Sequence, residues 1–394
     1  MAQSPLSPLP LSAYPTIREK QIDCPEVGLS FHTLEAGHTP NERRPLLLLL
    51  HGFPEIAYSW RKVMPALAAA GYYVVAPDQR GFGRTTGWDS SDFAQADLKS
   101  FSVMRLVADV VVLVNALGYS TVSAVIGHDF GAPVASLCAL TRPDMFHSVV
   151  MMSHPFPGTP RVSFDTAHQT PHKDGPASTS SENVHKDLAN LPEPRKHYKL
   201  YFSTAPAAKD LLEPIDELQP FLRAYFHTKS ADWSGNQPHD LKAWTAAELA
   251  KMPYYYVMPL GETMREAVAR DMPSEKFIDT DSSRWLSNSE LDVYVQEWHR
   301  TGFQGALNWY RCGSSGSAAR DVMIFAGRTI DVPAIYIGGT KDWGTYQEPG
   351  ALDRCAKSCS NYKGAKLIPG AGHWVQQEQP DEVVAEILGF LRAQ

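Results

Sequence analysis

The run Gly127, His128, Asp129, Phe130, Gly131, Ala132 follows the apolar stretch 122–126 and precedes a helical pattern starting around Pro133. It constrains this chain more than any other feature. A strand that turns sharply into a helix brings backbone segments close around one strained residue, and glycines at positions such as Gly127 and Gly131 permit that approach. Such a turn sits at the carboxyl edge of a parallel sheet, whose strands are buried on both faces and read as short continuous apolar runs. Runs of this kind recur at 46–50, 72–76, 122–126, 148–152, 334–337 and 366–368, and the largely apolar stretch 103–117 reads as a crossover helix. Residues 18–37, with a turn at 25–28, read as an antiparallel hairpin at one edge. The expected class is α/β, a mostly parallel central sheet with helices on both faces.

Between about 152 and 333 the strand alternation stops. This predicts a first core part at 1–154, an inserted helical cap (lid) at 155–325 and a second core part at 326–394. Within the insertion, 159–184 is rich in Ser, Thr, His, Pro and Asp and reads as a long exposed connection. Segments 186–226 and 291–311 carry helical periodicity with many aromatics.

The residue at the centre of the turn decides the chemistry. A carboxylate that attacks an ester gives an unproductive anhydride, whereas its attack on a strained or halogenated sp3 carbon gives an ester that water can cleave. A serine attacking the same carbon would leave a stable ether. Asp129 is therefore the expected nucleophile for an alkylating substrate. Asp is also a good helix N-cap, and taken alone the residue fits that role equally well. The surrounding motifs favour the nucleophile.

After the first core strand come His51, Gly52, Phe53 and Pro54, a turn that can aim the Phe53 N–H at Asp129. With the Phe130 N–H it would form an oxyanion hole. His51, Gly52, Pro54 and His128 read as structural supports. The turn 78–84 props the site, and its glycines lack the lysine and the fingerprint of a nucleotide loop. Near the end of the chain His373, in Gly370-Ala371-Gly372-His373-Trp374, is the expected general base. Asp342 follows the strand 334–337 at its carboxyl end and is the expected acid, whereas Asp331 lies at the wrong end of that strand. The chain order Asp129, Asp342, His373 is then nucleophile, acid, base.

Composition narrows the partners. A formal charge of −7 without a run of Lys or Arg argues against nucleic acid and anionic membranes, and apolar runs as short as 46–50 cannot span a bilayer. Residues 1–14 lack the pattern of a signal peptide. Five scattered cysteines argue against a disulfide framework, so a cytoplasmic location is expected. Cys355 and Cys359 read as two thiols on a helix. His168 and His172 flank a proline in a polar segment and make a poor metal site, so no metal and no cofactor are expected.

These residues resemble the epoxide hydrolases of the soluble type, on the α/β-hydrolase fold. The resemblance rests on 51–61 (HGFPEIAYSWR), the turn GHDFGA, 307–311 (LNWYR), GTKDWG around Asp342 and GAGHW around His373. It implies that two cap tyrosines hold the epoxide oxygen. Tyr310 in LNWYR matches one. Tyr198 in HYKLYF matches the other, with Tyr201 as the competing candidate. Opening an epoxide produces an alkoxide, and a phenol of pKa about 10 can supply its proton. The implied reaction takes a small apolar epoxide and water to a vicinal diol. The chain departs from the pattern at Phe130, where such enzymes often carry Trp, and in the length of 159–184, so pocket shape does not carry over. A haloalkane or haloacid dehalogenase shares the aspartyl ester step. A hydrolase-like binding protein without turnover, or an enzyme that cyclises epoxides intramolecularly, are further alternatives.

Overall fold

The computed structural model describes residues 6–160, 181–271 and 284–394. His168, His172 and most of the polar connection lie outside the described residues. The strands of the main sheet are β1 (Ile17–Cys24), β2 (Leu29–Ala36), β3 (Leu46–Leu50), β4 (Tyr73–Pro77), β5 (Ala124–His128), β6 (Val149–Met152), β9 (Ala334–Gly339) and β10 (Tyr362–Ile368). A pair within the insertion, β7 (Arg195–His197) and β8 (Val257–Pro259), forms a small sheet of its own. The main sheet runs in the order β1-β2-β4-β3-β5-β6-β9-β10. The pairings from β4 through β10 are parallel, and the hairpin β1–β2 joins antiparallel to β4.

The register aligns the carboxyl ends of the central strands: Leu50 pairs with Gly127, and Gly127 with Met151. The apolar runs occupy the middle of the sheet because both its faces are covered. Every residue of β3, β4, β5 and β6 is buried. The crossover helix Val103–Ala116 and the helix Gly131–Thr141 pack against each other beside this sheet.

Three expectations shift. The strand expected at 122–126 runs two residues later, because its pairing with β3 and β6 continues through Gly127 and His128. The last strand starts at Tyr362, before the expected 366. It lies at the sheet edge, where alternating exposed residues hide it from an apolar count. From Ser181 the chain is helical (Ser181–Ala189), so the exposed connection expected through 184 ends earlier.

The chain between β6 and β9 is largely helical. The region 186–226 is broken into short pieces, including Tyr198–Phe202, Ala207–Leu212 and Leu218–Lys229, where Pro192, Pro194, Pro206 and Pro214 interrupt the helical pattern. The antiparallel pair β7–β8 is too short to leave a pattern in the sequence. Helices Asn288–Thr301 and Gln304–Ser314 lie over the sheet's carboxyl edge. Trp298 Nε1 donates to Pro54 O at 2.8 Å and Trp309 Nε1 to Arg80 O at 2.9 Å. Arg61, fully buried, donates to Glu290 of the insertion at 2.8 Å and to Gln377 near the chain end at 2.7 Å. Among the described residues no helix is long and apolar enough to cross a membrane, and all five cysteines are free thiols.

Candidate active site

β5 delivers Asp129 into the left-handed region, with φ 49°, an uncommon conformation for a residue carrying a side chain. The neighbouring glycines are required by space. A Cβ at Gly127 would lie 2.1 Å from Gly131 O, and one at Gly131 would lie 2.1 Å from Leu50 O. The helix begins at Gly131 without any side-chain cap, so Asp129 does not serve as its N-cap. The carboxylate turns the other way: Oδ1 accepts the Phe53 N–H at 2.9 Å, and Oδ2 lies 3.4 Å from His373 Nε2. Gly52 makes the first contact possible, since a Cβ there would stand 2.4 Å from Asp129 Oδ1.

His373 is buried on its loop behind β10, and its Nδ1 lies 3.0 Å from Asp342 Oδ1. Asp342, four residues past Gly338 in β9, also accepts the Gly344 N–H at 2.6 Å, which fixes its carboxylate. The backbone of His373 is held as well. Its carbonyl accepts His128 Nε2 at 2.7 Å and Ser153 Oγ at 3.1 Å. His128 Nδ1 in turn meets Glu55 Oε2 at 2.7 Å, and Glu55 also accepts from Gln376 and Gln377. His128 thus contacts the His373 loop from the sheet side.

His51 accepts the Gln79 N–H on Nε2 at 3.0 Å, which leaves its proton on Nδ1, 3.0 Å from Gly52 O. Burial lowers its pKa. Asp78 accepts from the N–H groups of Ala57 and Arg84, both at 2.8 Å, and braces the turn 78–84.

Burial would raise the Asp129 carboxyl, but the hydrogen bond and charge of His373, followed by the charge of Lys229, hold it well below the usual carboxylate range. Burial would lower His373, but the charge of Asp342 and the hydrogen bonds to Asp129 and Asp342 together outweigh it and raise the imidazole to about 9 against an opposing push from Lys229. Lys229 itself is lowered to about 8 by burial. Its ammonium sits over the rings of Tyr256 and Tyr225, 4.7 and 5.0 Å from their centroids.

Tyr198 and Tyr310 come from separate helices of the insertion, and their ring centroids lie 6.0 Å apart. Tyr310 also packs on Phe130 at 4.4 Å and on Phe53 at 5.7 Å, which sets it above the turn around Asp129. Tyr201, three residues after Tyr198, points elsewhere, its hydroxyl donating to Asp210 Oδ2 at 2.8 Å. Burial raises both Tyr198 and Tyr310 well above the ordinary phenol value, so they stay protonated as donors. Beside Phe130 opens an apolar cavity of about 280 Å3, whose walls include Leu137, His154, Trp309 and Cys312.

The structure therefore gathers Asp129, Asp342, His373, Tyr198, Tyr310, Phe53 and Phe130 in one place. Glu55 and Lys229 have no counterpart in the sequence reading. Glu55 stands within HGFPE, directly after the supports His51 to Pro54, so that motif could have drawn attention to it. Lys229 leaves no signal, because a lone lysine at a helix end reads as a solvated residue.

Residues 45–184 match a family described as the alpha/beta hydrolase fold. Epoxide hydrolase B of Mycobacterium tuberculosis is 33% identical over 92% of this chain and 96% of its own length. Epoxide hydrolase 3 of Siraitia grosvenorii is 28% identical over 92% of this chain and 95% of its own. Among solved structures, epoxide hydrolase A of Mycobacterium thermoresistibile superposes with a TM-score of 0.71 at 30% identity, covering 96% of this chain and 98% of that one. Potato epoxide hydrolase I gives a TM-score of 0.69 at 28% identity, covering 96% of this chain and all of that one (100%).

Proposed function

The chain belongs to the epoxide hydrolases of the α/β-hydrolase fold, and from that premise we propose that it hydrolyses a small apolar epoxide to a vicinal diol through an ester on Asp129. The observation that carries the mechanism is the division of the Asp129 carboxylate, with Oδ1 tied to the Phe53 N–H and Oδ2 left beside His373. Oδ2 attacks one ring carbon, and the carbon–oxygen bond of the ring breaks. Its electron pair stays on the epoxide oxygen, which takes a proton from Tyr198 or Tyr310. A hydroxyalkyl ester and a phenolate result.

His373, oriented by Asp342, then removes a proton from water, and the resulting hydroxide adds to the ester carbonyl. The oxyanion forms on Oδ1, where the Phe53 N–H already stands, with the Phe130 N–H as second donor. Collapse expels the alkoxide of the diol, which takes the proton from His373. Asp129 ionises and its proton returns to the phenolate, so the net reaction consumes one water. No metal or organic cofactor enters this cycle. We also propose that residues 155–325 act as the lid and that the protein works in the cytoplasm, for which its five free thiols are the support.

Release of halide calls for donors that stay free at the site. The indoles of Trp298, Trp309 and Trp374, which pack on Phe53, Phe130 and His373, each donate to a backbone carbonyl. The phenols of Tyr198 and Tyr310 remain as donors that can deliver the proton an alkoxide needs and a halide does not, and this favours the epoxide over the haloalkane. The test is turnover of a panel of small aryl and alkyl epoxides in labelled water, with His373→Gln beside the wild type. Diol from the wild type and a covalent adduct on Asp129 in the variant, visible by mass, are the expected results. Halide released from haloalkanes with no diol from any epoxide would overturn the assignment.

A further inference from the structure

The loop that carries His373 is gripped from the insertion as well as from the sheet. The His373 N–H donates to the carbonyl of Lys229, the last residue of helix Leu218–Lys229, at 2.9 Å. The indole of Trp374 donates to Phe226 O in the same helix at 2.8 Å.

The N–H groups on either side of His373 converge on one side chain. Gly372 N donates to Glu378 Oε2 at 2.9 Å and Trp374 N to Glu378 Oε1 at 3.0 Å. Oε2 accepts one more donor, the N–H of Ala231, at 2.8 Å. Ala231 lies two residues past Lys229, so a single carboxylate joins both flanks of the histidine to the segment that also receives the histidine's own N–H. Burial raises this carboxyl to about 7 while the three N–H groups pull it down, so above neutral pH all three face an ionised acceptor. Hydrogen bonds to an ionised carboxylate are roughly twice as strong as neutral ones, and a carboxylate has room for about four. Glu378 closes the short helix Val375–Glu378, so the loop folds back on a residue only a few positions downstream.

Building on the ester mechanism above, we propose that Glu378 is a positioning residue that locks the His373 loop to residues 229–231 of the cap, so that the posture of the cap sets the water-activating imidazole. Attack by Asp129 does not use that imidazole as a base. The clamp therefore acts on hydrolysis of the ester and spares its formation. Mere structural support would affect both steps alike, or stability alone.

Two variants separate these outcomes in single-turnover experiments, run above neutral pH, that follow ester formation and ester hydrolysis individually. Glu378→Gln keeps the volume but replaces one acceptor oxygen with an NH2 group, so at least one N–H faces another donor. Ala231→Pro removes the donor on the cap side and sets its ring Cδ against Glu378 Oε2, so it breaks the cap-side contact while leaving the carboxylate in place. Ser230 before it is extended, with φ −83° and ψ 170°, the conformation that precedes proline without strain.

Glu378→Gln is expected to slow ester hydrolysis roughly ten- to hundredfold while ester formation changes less than about threefold, the scale for sub-ångström misplacement of a reacting group. Ala231→Pro is expected to slow the same step and to spare ester formation likewise. Hydrolysis at the wild-type rate in Glu378→Gln, or equal slowing of both steps, would refute the clamp. If Glu378→Gln fails to fold, unchanged hydrolysis in Ala231→Pro refutes it instead. A wild-type protein that makes neither ester nor diol overturns the ester mechanism, and the clamp with it. Wild-type turnover with unaffected variants overturns the clamp alone.

Discussion

Tyr198 and Tyr201 stand at positions i and i+3 of one five-residue helix, neighbouring places on its surface that spacing alone does not separate. What packs around each decides which enters the site. Tyr256 and Tyr310 flank Tyr198, while Asp210 draws the Tyr201 hydroxyl away. If the two phenols share the epoxide oxygen, Tyr198→Phe and Tyr310→Phe should each slow ester formation about ten- to hundredfold, and the double variant should lose it almost entirely. Tyr201→Phe should stay near the wild type. Stopped-flow measurement of ester formation checks all four, and a Tyr201→Phe defect as large as that of Tyr198→Phe would sink the assignment.

The pH dependence of the second step follows from the same residues. His373 stands at about 9 while Asp129 is ionised, raised first by Asp342 and supported by the bond to Asp129. In the proposed ester Asp129 carries no charge and no longer supports the protonated imidazole, and Lys229, where charged, still opposes it. The imidazole must be neutral to take a proton from water, so ester hydrolysis should be lost as pH falls through a His373 pKa below about 9. Removing the cation in Lys229→Met should move that limb to higher pH. Single-turnover hydrolysis rates across pH decide this, and a limb that stays at about 9 or moves down in Lys229→Met contradicts it.

Among the elements, the join of β5 to the helix Gly131–Thr141 carries the tightest steric demand. Gly131→Ala would drive a Cβ into Leu50 O of β3, backbone that cannot rotate away. The expected loss is about 2 kcal/mol or more, in the range of overpacked cores, and denaturant unfolding measures it. A stable, fully active Gly131→Ala would mean that the strand and helix can separate without cost. This join was legible in the sequence because a close strand-to-helix turn demands small residues on both sides of its central position, and two glycines around an aspartate behind an apolar run meet that demand. The edge strand β10 and the pair β7–β8 were not legible. Their residues are polar or few, and hydrogen bonds to neighbours distant in the sequence alone make them strands.

Over the whole molecule, the insertion is fastened to the rest of the chain by Arg61, which meets Glu290 on one side and Gln377 on the other. Glu290→Gln leaves the buried guanidinium without its counter-charge and should cost about 3 kcal/mol at neutral pH. Burial would raise Glu290, but the charge and hydrogen bond of Arg61, with the Ser287 N–H and Lys62, together outweigh it and hold the carboxyl at about 2, against an ordinary value of 4.5. A depressed carboxyl contributes its stability in full above the ordinary value and loses it as pH falls through the folded one. The gap between wild type and Glu290→Gln should therefore shrink from about pH 4.5 toward pH 2. Denaturant unfolding of both proteins along that range checks the sign, and a gap that widens in acid would refute it.

By itself the sequence determined the class of the fold, the carboxylate at the turn and the chain order of Asp129, Asp342 and His373. Local patterns of apolar residues and glycines suffice for these, since strand burial and a tight turn constrain neighbouring positions directly. Tertiary structure alone decided which tyrosine faces Tyr310, that the Asp129 carboxylate turns from its helix toward Phe53 and His373, and that Lys229 and Glu378 stand beside the histidine. Each of these depends on which distant segment supplies a hydrogen bond or a charge, and spacing along the chain does not encode such partners.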